Sequence, residues 1–469
     1  MFDLLLKGAH LEDPINDVSG IRDIAIAEGK VAAVQEDVTP TAARTVMYFD
    51  GALAVPGIID LHVHVCGDFG NPSGFGMLAR AGICTALNMA GPTTDLLEHM
   101  HQACGLNIAT LEDATPGRRL DSDDPSAAEA ALFVDRAMSE GAIGIKLLGG
   151  HYPLTPEGSE RIVRAARKRG GYAAWHAGTT EHGSNIEGMR EICELAGDQF
   201  VHVAHINSYC RGQIRHELDE IMEAQRLLEA YPSLVSESYI AAANGTSFLL
   251  GHDGRLVSRN TGIILNKLGY EDSERGVGQA ILDGVAFVFV QYGDETVRIT
   301  GREAHRIWSD AGTNTGGSFD VNPPVARTAL ALARRKDGIF LVDCLATDGG
   351  SIPRNVLVSH GLGFVAAGVL SLADYVRKTS WNASRCLGLV DKGHLGVGAD
   401  ADISVLDFDR RRAVATIVGG RVCMVDGYVC GSGGTVITTE QGLEHVASRG
   451  LPHQCVDLSA GHLPFGGER

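Results

Sequence analysis

Val55-Pro-Gly-Ile-Ile-Asp-Leu-His-Val-His-Val65 is an apolar run with little helical period, and it carries two histidines one residue apart, His62 and His64. On a strand, residues i and i+2 point to the same face. Two imidazoles on one face of a buried strand need a partner. A metal ion is the usual one, because neutral imidazole is a common ligand. Two core histidines held by backbone carbonyls explain a bare His-x-His equally well. The rest of the chain has to decide.

Downstream of this stretch, strands alternate with helical segments. Gly82–Asn88, Leu106–Leu111, Ala142–Leu148, Tyr172–His176, Phe200–Ile206, Leu234–Tyr239 and Ile339–Ala346 read as further strands. Between them, Ser126–Met138, Glu157–Arg169, Ile186–Leu195 and Leu218–Tyr231 have helical periodicity, with Ala128, Ala131, Leu132, Val134 and Ala137 on the apolar face of the first. Helices also read at 371–379 and 382–388. Eight strands in this rhythm predict an α/β fold, a (β/α)8 TIM-type barrel. The 240–335 stretch is too long for an ordinary loop and reads as a functional insertion.

The two ends of the chain are different. Asp3–Lys7, Asp23–Ala27 and Lys30–Val34 are short strands, the last two joined by a turn at Glu28-Gly29. So small a sheet cannot bury both faces alone. Ala399–Asp407, Ala415–Val418 and Arg421–Val425 are again short strands, so the N- and C-terminal segments are expected to form one composite β-sandwich. The expected domains are 1–55 with 393–435 for the sandwich, 56–392 for the barrel, and 436–469 as a Gly-rich C-terminal extension.

The 469 residues suffice for a barrel of about 250 residues plus a smaller domain. With 44% hydrophobic and 21% charged residues the chain is an ordinary globular one. Its net charge of −18 argues against general affinity for nucleic acid or anionic membranes. The ten cysteines include no CxxC pair, no signal peptide is evident, and no stretch reaches the roughly 18 apolar residues of a membrane span. A cytoplasmic protein with reduced thiols is the expectation.

In a barrel, side chains at the C-terminal ends of the strands converge on the active site. Those ends carry His62 and His64, Lys146, His176, His205 and Asp348, all metal-ligand or acid/base types. Lys146 lies in an otherwise apolar strand. Either its tip finds a carboxylate, or its amine takes up carbon dioxide to form a carbamate able to bridge two metals. His202 and His205 are three residues apart, so on a regular strand only one faces inward; His205, nearer the strand end, is chosen, and His202 is read as packing. Asp348 precedes Gly349-Gly350, where a turn aspartate is common. As the strand-8 end of this set it could instead bind metal and activate a water.

Val55–His64 resembles the entry motif of the metal-dependent amidohydrolase superfamily, and Gly396-Val-Gly-Ala-Asp-Ala-Asp-Ile-Ser-Val405 is similar to its usual return into the sandwich. The resemblance covers most of the chain, the insertion least well. It implies a hydrolase of carbon–nitrogen bonds other than ordinary peptide bonds. It also implies metal ligation by His62, His64, Lys146, His176, His205 and Asp348, with Lys146 carboxylated and two divalent ions, usually zinc. A homo-oligomer is implied as well.

Among the branches of that superfamily, deaminases resemble one another in a HxxE motif, but Thr179 stands three residues after His176. D-aminoacylases resemble this chain in their long insertion and use a cysteine after strand 2, where this chain has Asn88-Met-Ala-Gly91. Isoaspartyl dipeptidases resemble it in His205-Ile-Asn-Ser208 and Thr347-Asp-Gly-Gly-Ser351. Dihydroorotases and hydantoinases share the lysine but have a histidine-rich turn where Gly349-Gly-Ser-Ile-Pro353 stands here. These resemblances favour an open-chain amide, an N-acyl amino acid or dipeptide-like substrate, with a cyclic amide as the alternative. Asp348 would be general base and acid. Arg211 and Arg354, each six residues beyond a ligand, are candidate rim cations for a substrate carboxylate, and Tyr239 a candidate oxyanion donor.

Overall fold

The structure, a computed structural model, describes residues 1–460; positions 461–469 of the C-terminal extension lie outside the described residues. The first strand, Phe2–Asp13, pairs antiparallel with Val18–Ala27 and serves two parallel neighbours in turn. Leu4–Lys7 runs beside Ala43–Tyr48, and His10–Leu11 beside Leu53–Pro56. The switch falls at a bulge where Gly8 has φ 78°, a conformation that costs glycine nothing. Leu53–Pro56 then pairs antiparallel with Ile403–Asp407, which continues into Arg412–Val418 and Arg421–Val425. Both chain ends thus share a nine-stranded sheet. It curls around one apolar cluster that includes Leu4, Leu11, Ile24, Ile403 and Ile417.

One residue past Pro56 the chain enters the barrel. Its strands are Ile58–His64, Ile83–Asn88, Asn107–Asp113, Gly144–Leu148, Tyr172–His176, Val201–Val203, Leu234–Tyr239 and Cys344–Ala346, each parallel to the next. Gly349–Gly350, just beyond the eighth, pairs with Val63–His64 and closes the ring. Every residue of the first four strands and the seventh is buried, as expected of a parallel sheet covered on both faces. Helices such as Ala127–Ser139, capped reciprocally by Ser126 and Glu129, form the outer layer. Leu132, expected on that helix's inner face, is exposed; Phe133 is buried instead.

Four segments differ from the sequence reading. The eighth strand is only Cys344–Ala346, because the preceding stretch is held by other bonds. The Asp343 carboxylate accepts from the Ser236 N–H at 2.9 Å, and the buried Lys378 ammonium donates to the Val342 carbonyl. The segment at 371–379 is α-helical at Leu372–Val376 and then widens to a π-helix at Arg377–Trp381 before Asn382–Cys386. Within 240–335, a four-stranded sheet and helices Arg259–Lys267, Glu274–Leu282 and Gly301–Asp310 enclose their own apolar cluster around Phe248, Trp308 and Phe319. The helix Pro324–Leu332, however, packs into the barrel's outer layer through Ala326 and Leu330. Finally, Thr435–Thr438 pairs parallel with the lower half of the third barrel strand, whose upper half pairs with the fourth. The C-terminal extension therefore fills a gap in the barrel wall.

No helix among the described residues is long and apolar enough to cross a membrane.

Candidate metal centre

All six side chains expected at the strand ends line one cavity of about 360 Å³ at the C-terminal mouth of the barrel. His62 and His64 leave the first strand on the inner side. Their Nε2 atoms lie 3.3 and 3.0 Å from the same oxygen of Asp348, Oδ1. The His205 ring stacks on His62 at 5.2 Å between centroids, and its Nε2 lies 3.1 Å from His176 Nδ1. One donor atom each from His62, His205 and Asp348 falls within 4.8 Å of the others. Lys146 lines the same cavity, with Nζ 3.1 Å from Met89 Sδ. Two of these positions are reached through unusual backbone. His205 has φ 35° and Asp348 φ 52°, left-handed conformations that are costly for residues other than glycine and that concentrate at functional sites. His176 is approached so closely that a side chain at Gly150 would run into its ring.

The electrostatics suit cation binding. Burial holds His62, His64, His176 and His205 below their ordinary pKa, so each imidazole is neutral and offers a lone pair. Burial alone would raise the Asp348 carboxyl; Arg354, His64 and Lys146 outweigh it and hold it ionised. Burial likewise pushes the Lys146 ammonium down, against the pull of Glu237 and Asp348. His64 Nδ1 is buried without a hydrogen-bond partner among the described residues. Ligand atoms around a tetrahedral zinc stand about 3.3 Å apart, the spacing found between the imidazole nitrogens and Asp348. The donor set therefore fits divalent metal ions.

Of the three candidates for substrate contact, Tyr239 and Arg211 line the cavity together, Arg211 Nη2 donating to the Tyr239 hydroxyl at 2.9 Å and Nε to Asn322 at 2.8 Å. Arg354 does not stand on a rim. It is buried, and all three of its nitrogens are engaged: Nε with the Asp348 carbonyl at 2.5 Å, Nη1 with the Ala243 carbonyl at 3.1 Å, Nη2 with Asp348 Oδ2 at 2.6 Å. His202 does not turn outward. Strand 6 stops at Val203, so the alternation that would oppose it to His205 ends there; both face the barrel interior, His202 one layer lower against Tyr172 and Glu237.

Sequence reasoning missed several groups. Glu237 and Asp60 lie under the ligands. Asp60, raised to about 7 by burial, accepts from the Thr347 and His62 N–H groups, each at 3.1 Å. Their signal was available: an acidic residue within a stretch that reads as a barrel strand. His151, Arg118 and the insertion's Asn244 and Ser258 line the cavity from loops, where no periodicity marks them, and Phe289 lines it from the insertion strand Ala286–Tyr292. The insertion roofs the mouth and is tied at two edges. Lys267 Nζ donates to the Arg211 and Gly212 carbonyls at 2.8 and 3.0 Å, and Arg80 pairs with Glu295 at 3.2 Å.

Known proteins resemble this chain in sequence and fold. A family profile described as the amidohydrolase family matches residues 268–431. A dihydroorotase from Pelotomaculum thermopropionicum is 26% identical over 90% of this chain and 99% of its own. Among solved structures, D-aminoacylase superimposes with a TM-score of 0.64 at 17% identity, over 93% of this chain and 99% of its own. An N-acyl-D-glutamate deacylase from Bordetella bronchiseptica, complexed with zinc and a phosphonate inhibitor, gives 0.65 at 16% identity over the same shares, 93% and 99%.

Proposed function

We propose that the chain is a metal-dependent amidohydrolase that hydrolyses the amide bond of an open-chain, carboxylate-bearing substrate such as an N-acyl amino acid, using two divalent ions. The observation that carries this reading is the convergence of four neutral imidazoles, an ionised carboxylate and a desolvated lysine in one cavity of small-molecule size. His62, His64, Lys146, His176, His205 and Asp348 would hold the ions, and zinc is the metal in one structural relative. The lowered Lys146 pKa favours the neutral amine, the form that attacks carbon dioxide, so a carboxylated Lys146 as the bridging ligand is part of the reading.

Bound divalent ions supply Lewis acidity toward the amide carbonyl and make a water acidic enough to attack near neutral pH. The remaining steps belong to this chain. Asp348 takes the proton of the attacking water and returns it to the leaving nitrogen. Arg354 fixes the carboxylate of Asp348 through Oδ2, leaving Oδ1 toward the histidines. Tyr239 donates to the developing oxyanion. Arg211 receives the substrate carboxylate. The charge of the lining supports this last assignment: in a chain of net charge −18, Asp348 is the cavity's sole aspartate or glutamate among the described residues and is paired with Arg354, while Arg118 and Arg211 add two further guanidiniums.

A cyclic amide is the second reading, favoured by the dihydroorotase relative matched over nearly its whole length. Amine or ring-opening release from N-acyl amino acids and dipeptides, set against dihydroorotate and hydantoins, separates the two. Turnover of N-acyl amino acids is the expected result. Turnover of the cyclic amides alone would replace the first reading by the second.

A further inference from the structure

Beneath the ligands the barrel holds a second row of buried polar side chains to which the hydrolysis gives no part. Glu237 on the seventh strand and His202 on the sixth are both fully buried. Glu237 Oε1 lies 2.7 Å from His62 Nδ1 and accepts from the His205 backbone N–H, also at 2.7 Å. The same oxygen is 3.9 Å from His202 Nε2, and His202 Nδ1 meets the Tyr172 hydroxyl at 2.8 Å. One carboxylate therefore touches the ring of one candidate ligand and the backbone of another.

Each contact has a structural consequence. A carboxylate on Nδ1 fixes His62 as the tautomer with its proton there, so that Nε2, which faces Asp348, keeps its lone pair. His205 stands at φ 35°, ψ 57°, beyond the end of its strand, where its N–H has left the ladder; Glu237 gives that N–H an acceptor. A packing role would be better served by an apolar side chain. The second oxygen of Glu237 is buried without a hydrogen-bond partner among the described residues, a cost that leucine or methionine would avoid.

We propose that Glu237 is a positioning residue of the metal centre, holding the His62 ring and the His205 turn in ligating geometry, with His202 and Tyr172 supporting it from below. The proposal rests on the reading of the six upper side chains as metal ligands. Its test is the zinc affinity of the full chain, measured by competition with a chromogenic chelator, for wild type, Glu237→Gln and Glu237→Leu, together with the melting temperature of each metal-free form. Glutamine keeps the volume and one acceptor oxygen but replaces the other with an N–H₂ donor. The expected result is a metal-free melting temperature for Glu237→Gln near that of wild type and zinc affinity lower by about 10–100-fold, as for other groups that orient metal-bound histidines, with a larger loss in Glu237→Leu. Equal affinity in all three proteins overturns the proposal. So does a loss that vanishes once only the folded fraction is counted. A wild type that takes up no zinc overturns the ligand reading itself, and is recognised because it occurs without any substitution.

Discussion

Asp348 meets both first-strand histidines through one oxygen and Arg354 through the other, so its two lone-pair faces have separate duties. Asp348→Asn keeps the shape but removes the proton acceptor. The expected outcome is a fall in kcat of about 10²–10⁴-fold, the range of a general base, with folding retained; steady-state kinetics alongside a thermal melt checks it. That these six side chains meet at one cavity was readable from residue type and strand position. The role of Arg354 was not, because six residues beyond Asp348 in sequence says nothing of whether a guanidinium turns outward or folds back. His202 packs as read, but toward the barrel interior, because the strand ends at Val203 and its alternation does not reach His205. Glu237 carries a weaker signal than Lys146, because in Leu-Val-Ser-Glu-Ser-Tyr it stands between two serines, whereas the lysine of strand 4 stands among apolar residues.

The elements are joined by buried charge as well as by apolar packing. Lys392 lies 2.8 Å from Asp400 and 2.7 Å from Asp402; Asp400 also pairs with Lys30 of the N-terminal hairpin, and Asp402 accepts from Asn107 of the third barrel strand at 3.0 Å. Burial alone would lower the Lys392 pKa, but the two carboxylates raise it from 10.5 to about 12, while Asp400 is held below its ordinary 3.8. A raised lysine stabilises the fold fully below its unfolded pKa and loses that contribution as pH rises through about 12. The lowered Asp400 stabilises above its ordinary value and loses its contribution in acid. Lys392→Met, which leaves Asp402 without its ammonium and Asp400 with Lys30 alone, should therefore lower unfolding free energy by about 3–5 kcal/mol, by the same amount at pH 6 and pH 9; denaturant titration at both checks it. A difference that grows from pH 6 to pH 9 would contradict this assignment. The wedge strand Thr435–Thr438 is a second joint. Ile437 is fully buried in the apolar cluster that holds Ile59, Leu61 and Ala109, and Ile437→Ala should cost about 2–5 kcal/mol in the same titration. Alternation in 435–438 is too short to distinguish a strand from Gly-rich tail, so its place in the barrel wall could not be read from the sequence.

For the molecule as a whole, the division into a terminal sandwich and a parallel barrel followed from period and order, since short alternating strands at both ends cannot be buried separately. The architecture of the insertion did not, because 240–335 mixes short strands with short helices and encloses a core of its own. It nonetheless lines the mouth of the cavity, above six candidate ligands carried wholly by the barrel. Metal bound by that cluster and not by the unfolded chain should stabilise the fold by about 2.7 kcal/mol at a hundredfold excess over Kd, visible as a higher melting temperature on adding zinc to the metal-free protein. The central claim is a two-ion centre bridged through Lys146. The most direct measurement is elemental analysis of zinc per chain in protein prepared without chelators, for wild type beside Lys146→Ala. The account predicts about two zinc ions per wild-type chain, as in two-metal hydrolase sites, and about half as many in the variant. No bound metal in the wild type, or the same stoichiometry with and without the lysine, would contradict it.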